Sequence, residues 1–527
     1  MAHRVLFAFA ALAITAFLHI LAQAQAPHTK FASPVTYDAG PFADSVAFAD
    51  LRGNGHLDIV VANYCETVDP SGNCTTDGDG FSILLGNGDG TFQASVAHNA
   101  GAYGAMSVAV GDVNGDGVQD VVIADYWQTA HQGEFFPGAV SVLLGNGDGT
   151  FQPPVVYGSA GDNAYSVALA DLRGDGKLDI VVTNMYQESG NDGSVSVLLG
   201  NGDGTFQPAV SYTTGAQVAA SVATADLNGD GIPDLVVANY GSPIVSVLLG
   251  NGDGTVQPAV IYSGGDGYIS SVALGELRGN GLVDVIAKNG YVGSGSQSSL
   301  DVLLGIGDGT LQKAVGYVAE GVGIPSSPAV GSGVNSVVIA DVNGDGILDA
   351  ISAEPCQKIQ HYSECIGNKD VSVLLGKGDG TLESPVAYSS GGFLAWGVVV
   401  ADVNGDGRPD LIVTNDQVAP SQSEGSVAVL LNETSYASKT ALTASPSPAH
   451  VNQPVTLTAM INPTPPNGEL VTFYNGKTTI GTDTTHDGMA SLTTSFAAAK
   501  TYTIKATYPG DAFRKKSSGT VKLLVNQ

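Results

Sequence analysis

One pattern recurs seven times along this chain, and a repeat of that period leaves few folds open. A unit reads SVAVGDVNGDGVQDVVIAD from Ser107 to Asp125, then a variable loop, then VSVLLGNGDGTFQPPVVY from Val140 to Tyr157. Its acidic opening residue falls at Asp50, Asp112, Asp171, Asp226, Glu276, Asp341 and Asp402, at intervals of 50 to 65 residues. Each unit holds four short runs of strand character: one before the acidic loop, an apolar run such as DIVVAN after it, a VSVLL run, and an FQPAVSY run. The last two are joined by N-G-D-G, which predicts a tight hairpin with positive φ at its glycines. No segment of the repeat region has helical period.

Units one to six end in a fourth run opened by Phe92, Phe151, Phe206, Val256, Leu311 and Leu382. The seventh stops after its third run, at Asn432, and the missing strand stands near the start of the chain as FASPVTY, Phe31 to Tyr37. A ring needs this offset, because the N-terminal strand then completes the last unit and removes its open edge. The expected fold is all-β: a seven-bladed β-propeller followed by a smaller sandwich.

The acidic loop reads D-x-N-G-D-G-x-x-D. Oxygen donors at positions one, three, five and nine can converge on one cation, and position seven can add a backbone carbonyl. A set of carboxylate and amide oxygens favours Ca²⁺ over transition metals. Four copies are complete: Asp112, Asn114, Asp116, Val118 and Asp120; Asp226, Asn228, Asp230, Ile232 and Asp234; Asp341, Asn343, Asp345, Ile347 and Asp349; and Asp402, Asn404, Asp406, Arg408 and Asp410. Three depart, with Arg52, Arg173 or Arg278 at position three. Their remaining oxygen residues are Asp50, Asn54 and Asp58; Asp171, Asp175 and Asp179; and Glu276, Asn280 and Asp284. A guanidinium cannot ligate a cation. It either neutralises the carboxylates itself or swings outward and leaves a poorer site, so these copies are expected to hold metal weakly or not at all. The aspartates of the N-G-D-G hairpins, such as Asp89 and Asp148, are read as turn-formers.

The loop and hairpin motifs, recurring in fixed order over residues 31–432, resemble FG-GAP or VCBS-type repeats. Those repeats form the seven-bladed propeller of integrin α-subunits and of many exported bacterial proteins. The resemblance assigns the same loop positions to calcium and implies an extracellular binding role.

Strand order predicts two faces. The acidic loops and the hairpins share one end of every unit and hardly vary. The loops at the other end differ from unit to unit and collect aromatics, among them Tyr126, Trp127, Tyr186, Tyr240 and Trp396. Aromatic side chains on variable loops over a rigid scaffold suit a ligand face, although about half of such rings are expected to pack between blades.

Residues 437–527 carry no acidic repeat and alternate as strands, among them VTLTAMI, LVTFYN, YTIKATY and VKLLVNQ. Phrases such as SPSPAHVNQPVTLTA and YTIKATYPGDAFRKKSS resemble bacterial Ig-like repeats, which implies a sandwich acting as module or spacer. Residues 1–24 are expected to be a signal peptide: Arg4 opens it, Val5 to Leu21 is apolar, and Ala22-Gln23-Ala24 offers a cleavage site. An uncleaved anchor is the alternative. Cys65 with Cys74, and Cys356 with Cys365, are each nine residues apart and are expected to form two local disulfides of an exported protein.

The formal net charge of −30 excludes a phosphate-binding role in nucleic-acid recognition. The excess acid lies in the repeats, since residues 437–527 hold 8 Lys/Arg against 4 Asp/Glu. No G-x-S-x-G, HExxH or phosphate-loop motif occurs. The expectation is a secreted or cell-surface, calcium-binding, non-catalytic monomer that binds an extracellular protein or glycan. A lectin or a polysaccharide-degrading enzyme on the same propeller is the alternative.

Overall fold

Each apolar run behind an acidic loop is too short for a helix and rich in β-branched residues, so it settles as a strand covered on both sides. The computed structural model describes residues 29–65, 80–128, 137–187, 192–265, 267–289, 297–322, 336–354, 370–417 and 424–527. These residues contain strands and no helix. The described chain divides into two compact units, one of Phe31–Val342 with Ile347–Asn432, the other of Glu433–Gln527 with Asn343–Gly346 and Lys30.

The first unit is built from four-stranded antiparallel arrays. Array 1 is Ala43–Ala49, Asp58–Asn63, Gly80–Leu84 and Val96–Asn99. Array 2 runs Tyr103–Gly111, Asp120–Trp127, Pro137–Leu143 and Val155–Ala170; the last strand continues as the first of array 3, followed by Asp179–Tyr186, Asp192–Leu198 and Val210–Gln217. Array 4 is Ala219–Ala225, Asp234–Asn239, Ile244–Leu248 and Val260–Ser263, and array 5 is Ile269–Gly275, Asp284–Asn289, Gln297–Leu303 and Val315–Val322. Array 6 is Val337–Ala340, Asp349–Ala353, Val371–Leu374 and Val386–Tyr388. Array 7 is Phe393–Ala401, Asp410–Gln417, Glu424–Leu430 and, from the other end of the chain, Val35–Pro41.

Strand alternation explains how the arrays stack. In each second strand one residue faces the preceding array and the next faces the following one. Val60 packs with Val121 of array 2, Val122 with Ile180 of array 3, and Val181 with Leu235 of array 4. Val236 packs with Val285, Ile286 with Ala350, and Ile351 with Leu411. The series returns on itself, because Ile412 of array 7 packs with Ile59 of array 1. Fully burying such a side chain is worth about 1.5–3 kcal/mol, so these seams carry much of the unit's stability.

The N-terminal strand closes array 7. Val35 pairs with Val429 and Tyr37 with Val427, and Phe31 bridges Asn432. The strand proper is Val35–Pro41 rather than Phe31–Tyr37, with Phe31 held as an isolated bridge, as Phe92 and Phe151 are in their arrays. The seam repeats the internal contacts: Tyr37 meets Phe92 at 5.8 Å edge-on, as Tyr157 meets Phe206 at 5.7 Å. The hairpins are wider than predicted. Asn87 N donates to Thr91 O, and Gly88 and Gly90 both have positive φ. A Cβ on Gly86, just before this turn, would sit 2.1 Å from Leu57 O, so no other residue fits that approach unchanged.

The second unit packs a three-stranded sheet, Lys439–Ser445, Val455–Asn462 and Met489–Thr494, with a five-stranded one. The latter comprises Ala449–His450, Ser517–Asn526, Thr501–Tyr508, Leu470–Asn475 and Thr478–Thr484. Alternating burial along Val455–Asn462 feeds a core of Val455, Leu457, Phe473, Ile504, Tyr508 and Leu523.

Candidate metal loops and the aromatic end of the strands

The loops opened by Asp50, Asp112, Asp171, Asp226 and Asp402 wrap their backbone amides around that first carboxylate. Asp112 Oδ1 accepts from Gly115 N at 2.7 Å and Oδ2 from Gly117 N at 2.8 Å. Asn114 Oδ1 accepts from Asp116 N at 2.8 Å, while Asn114 Nδ2 donates to Asp116 at 2.9 Å. Asp120, the ninth residue, opens the second strand and accepts from Val113 N at 3.0 Å and Gly145 N at 2.8 Å. Loop 4 repeats this with Asp226, Asn228, Asp230 and Asp234. In loop 7, Asp402 accepts from Gly407 N at 2.7 Å and Asp410 from Val403 N at 3.1 Å. In the sixth repeat the ends belong to the ring unit, where Asp349 accepts from Val342 N and Gly376 N. Val118 N and Ile232 N donate to Asp116 and Asp230 respectively.

Burial pushes the carboxyls of Asp120 and Asp234 above their ordinary value, with Asp116 and Asp112, or Asp230 and Asp226, adding like-charge repulsion. Asp410 is pushed up to about 6 for the same reasons. These loops hold more negative charge than their surroundings answer, and all their donors are oxygens, which fits a hard divalent cation. As the loops stand, no three His, Cys, Asp or Glu side chains among the described residues converge as a formed metal site.

The arginine copies keep the same backbone wrap, since Asp50 accepts from Asn54 N and Gly55 N at 3.0 and 2.7 Å. Burial works to raise the carboxyls of Asp50 and Asp171, but these amide donors outweigh it and hold both below the usual value. The guanidinium turns inward. Arg52 Nη2 donates to Asp58 Oδ1 and to Gly86 O, both at 2.6 Å. Glu276 still reaches Gly281 N, and Asn280 caps Leu282 N. The hairpin aspartates make turns: Asp89 Oδ1 accepts from both Thr91 N and Thr91 Oγ1, and that hydroxyl holds its carboxyl below the usual range.

The other end of the second strands carries the rings. Asp120 and Tyr126 are the first and seventh residues of Asp120–Trp127, roughly 20 Å apart at strand rise. Tyr126 meets Trp127 at 4.8 Å and Tyr165 at 6.4 Å, and Tyr64 meets Trp127 at 5.9 Å. Tyr240 meets Tyr268 at 5.7 Å, and Tyr268 is 44% exposed. Tyr126, Trp127, Tyr186 and Tyr240 are half-buried, and burial pushes the Tyr126 phenol up to about 12.

Trp396 departs from expectation. It is only 7% exposed, so it is a packing residue rather than part of an open face. The cause lies in the register. The first strand of array 7 bulges between Ala395 and Val398, after Leu394 at φ 58°, and this turns the indole toward Asp416. Burial pushes the Asp416 carboxyl up to about 7, with Trp396 pulling the other way. Related register shifts skip Asp44, Met106, Tyr165, Ala220 and Ser270, so in each of arrays 1 to 5 one residue leaves the alternation at this end.

Two further features escaped the sequence reading. A buried amide or acid at the end of the second strand pairs with a third-strand serine, as in Asn63 to Ser82 at 2.8 Å, Ser141 to Asp125 at 2.6 Å and Asn239 to Ser246 at 2.9 Å. The Asn or Asp closing the apolar runs, at Asn63, Asp125, Asn184, Asn239, Asn289 and Asn415, was the available signal. In addition, Lys288 of array 5 lies 3.6 Å from Glu354 of array 6, both fully buried, with Ser298 and Ser352 donating to the carboxylate. Cys65 is buried; Cys74, Cys356 and Cys365 lie outside the described residues, as does the expected signal segment.

Sequences described as FG-GAP-like repeats match residues 73–123, 130–182, 188–237, 226–287 and 365–413, and an FG-GAP repeat matches 104–143. This is an FG-GAP repeat protein. A bacterial Ig-like domain (group 3) matches residues 442–526. The FG-GAP repeats and the strand arrays make the fold a β-propeller with a C-terminal Ig-like domain. Among curated relatives, integrin alpha pat-2 of Caenorhabditis elegans is 26% identical over 246 residues, 42% of this chain and 19% of that protein. Integrin alpha-V of Gallus gallus is 30% identical over 149 residues, 26% of this chain and 14% of that protein. The FG-GAP chain thus spans a small part of these relatives' length. The crystal structure of the V. cholerae biofilm matrix protein Bap1 is 15% identical, with 77% of this chain and 91% of that one covered and a TM-score of 0.37, below the level at which two folds can be equated. Among the described residues no helix is long and apolar enough to cross a membrane.

Proposed function

We propose that this protein is an extracellular binding module that grips a protein or glycan at the aromatic end of its strands and uses Ca²⁺ at the opposite end for rigidity. The observation that carries this reading is the separation of the two ends. Half-buried Tyr126, Trp127, Tyr186 and Tyr240 and exposed Tyr268 gather at one. The repeated acidic loops occupy the other. Flat rings with one exposed face suit sugars or protein side chains, and they sit on loops and strand ends that differ between arrays.

Asp112, Asn114, Asp116 and Asp120, with their counterparts in loops 4, 6 and 7, would hold the ion, and the carbonyls of Val118, Ile232, Ile347 and Arg408 would complete the shell. The ion would answer the buried charge of the ninth residue and tie the loop to the start of the second strand. In this reading residues 1–24 direct export, 31–432 form the seven-bladed propeller and 437–527 the Ig-like spacer. Cys65–Cys74 and Cys356–Cys365 each clasp a long loop, and the protein acts as a monomer without chemistry of its own. The relatives' name, integrin, is consistent with adhesion.

The test is a glycan and matrix-protein array, probed with and without calcium, followed by the W127A and Y268A variants. Binding that falls at least tenfold in both, with an unchanged melting temperature, supports the reading. Undiminished binding, or turnover of a polysaccharide that survives both substitutions, overturns it.

A further inference from the structure

The three arginine loops share one geometry. Arg52 Nη2 sits 2.6 Å from Asp58 Oδ1 and 2.6 Å from Gly86 O; Arg173 Nη2 sits 2.6 Å from Asp179 Oδ1 and 2.7 Å from Gly200 O; Arg278 Nη2 sits 2.5 Å from Asp284 Oδ1 and 2.7 Å from Gly305 O. In each, Nε donates to the second oxygen of the same carboxylate, at 3.2, 3.3 and 3.1 Å. The carboxylates are fully buried and the arginines 15–18% exposed. A two-toothed guanidinium thus bridges the ninth carboxylate and a carbonyl at the end of the third strand, binding the loop to the hairpin of its own array.

We infer that Arg52, Arg173 and Arg278 are built-in cations: they take the electrostatic and bridging role that a metal ion takes in the complete loops, and arrays 1, 3 and 5 therefore need no calcium. This rests on the reading that the complete loops bind calcium, and it adds which loops are independent of it. The complete loops of arrays 2 and 4 cannot make the bridge. Asn114 and Asn228 stand where the arginines do, are too short to cross, and turn their amides to Asp116 and Asp230 at 2.9 Å. From array 1 to array 5, then, internally charged and cation-dependent arrays alternate. Loop 7 is intermediate. Arg408, at position seven, pairs with Asp406 and donates Nε to Asn432 O at 2.6 Å, the carbonyl that corresponds to Gly86 O. An ion entering there must displace Arg408 from Asp406, so loop 7 binds more weakly than loops 2 and 4.

The experiment compares the purified full chain with R173N and N228R. Calcium stoichiometry is read by equilibrium dialysis and melting temperature in chelator and in millimolar Ca²⁺. R173N is expected to bind one ion more than the parent and to melt lower in chelator, with the loss recovered by calcium. N228R is expected to bind one ion fewer and to melt higher in chelator. Should R173N fail to fold in chelator yet fold with calcium, that also supports the inference; should it fail in both, N228R decides. If R173N binds no extra ion and melts like the parent in chelator, or if N228R melts lower there, the inference is overturned. A parent that binds no calcium defeats the reading of the complete loops alone, and the two melts in chelator still decide the role of the arginines.

Discussion

Replacing Phe31 by Ala tests whether the ring depends on a strand from the far end of its sequence. Phe31 is 8% exposed and meets Tyr388 of array 6 edge-on at 5.0 Å. It anchors the closing strand, whose next paired residues are Val35 to Pro41. Truncating a buried Phe to Ala costs about 3–5 kcal/mol, and loss of the edge contact adds about 0.5–1.5 kcal/mol to the lower part of that range. Phe206 supplies the internal standard: it is 7% exposed and meets Tyr157 at 5.7 Å, inside the ring rather than at the closing strand. Both substitutions should therefore lower stability by about 3–5 kcal/mol. The assay is urea unfolding followed by tryptophan fluorescence, with midpoints compared at a common slope. Both tryptophans, Trp127 and Trp396, lie in the propeller, so the signal reports that unit. If Phe206→Ala shows the full loss while Phe31→Ala stays within about 0.5 kcal/mol of the parent, the strand does not close the ring and the argument fails.

Three other outcomes follow from the same physics. The Asp416 carboxyl is raised to about 7, so its contribution is present below its unfolded value near 4 and is lost as pH rises through 7; Asp416→Asn should stabilise the protein at pH 8 by on the order of 2–4 kcal/mol and leave it unchanged at pH 4, as read from melts across pH. Lys288→Met leaves Glu354 buried without its cation and should cost about 3–5 kcal/mol, whereas Lys288→Met with Glu354→Leu should cost less than the two single changes summed, as a double-mutant cycle in urea would show. Millimolar Ca²⁺ should raise the melting temperature, and Asp120→Ala should shrink that rise; a calcium-independent melt would count against the metal loops.

Much of this architecture is legible in the repeat because each unit makes the same local choices seven times. Apolar runs of six predict strands covered on both sides, and the missing fourth run of unit seven points to Phe31–Tyr37. What resisted reading depends on register between strands. Trp396 looks like an exposed loop aromatic until the bulge after Ala395 turns it against Asp416. The inward turn of Arg52 requires Gly86 O to lie beside Asp58, and its own reach to Gly86 O is a contact across 34 residues that spacing alone leaves open. Lys288 and Glu354 are unremarkable charges in sequence and become partners only when arrays 5 and 6 stack.

Arrays 2 and 3 are not joined by a loop. Val155–Ala170 serves as the last strand of one and the first of the other, bending through Ala160 and Asn163 at φ 57° without leaving the sheet. Its amides are bonded to Pro137–Leu143 over one stretch and to Asp179–Tyr186 over the next. Neither array can detach while the other keeps its ladder intact, so the two should exchange their backbone hydrogens as a single opening unit about twice the size of any other. A protease that nicks the links elsewhere on this ring should find none to cut between these two.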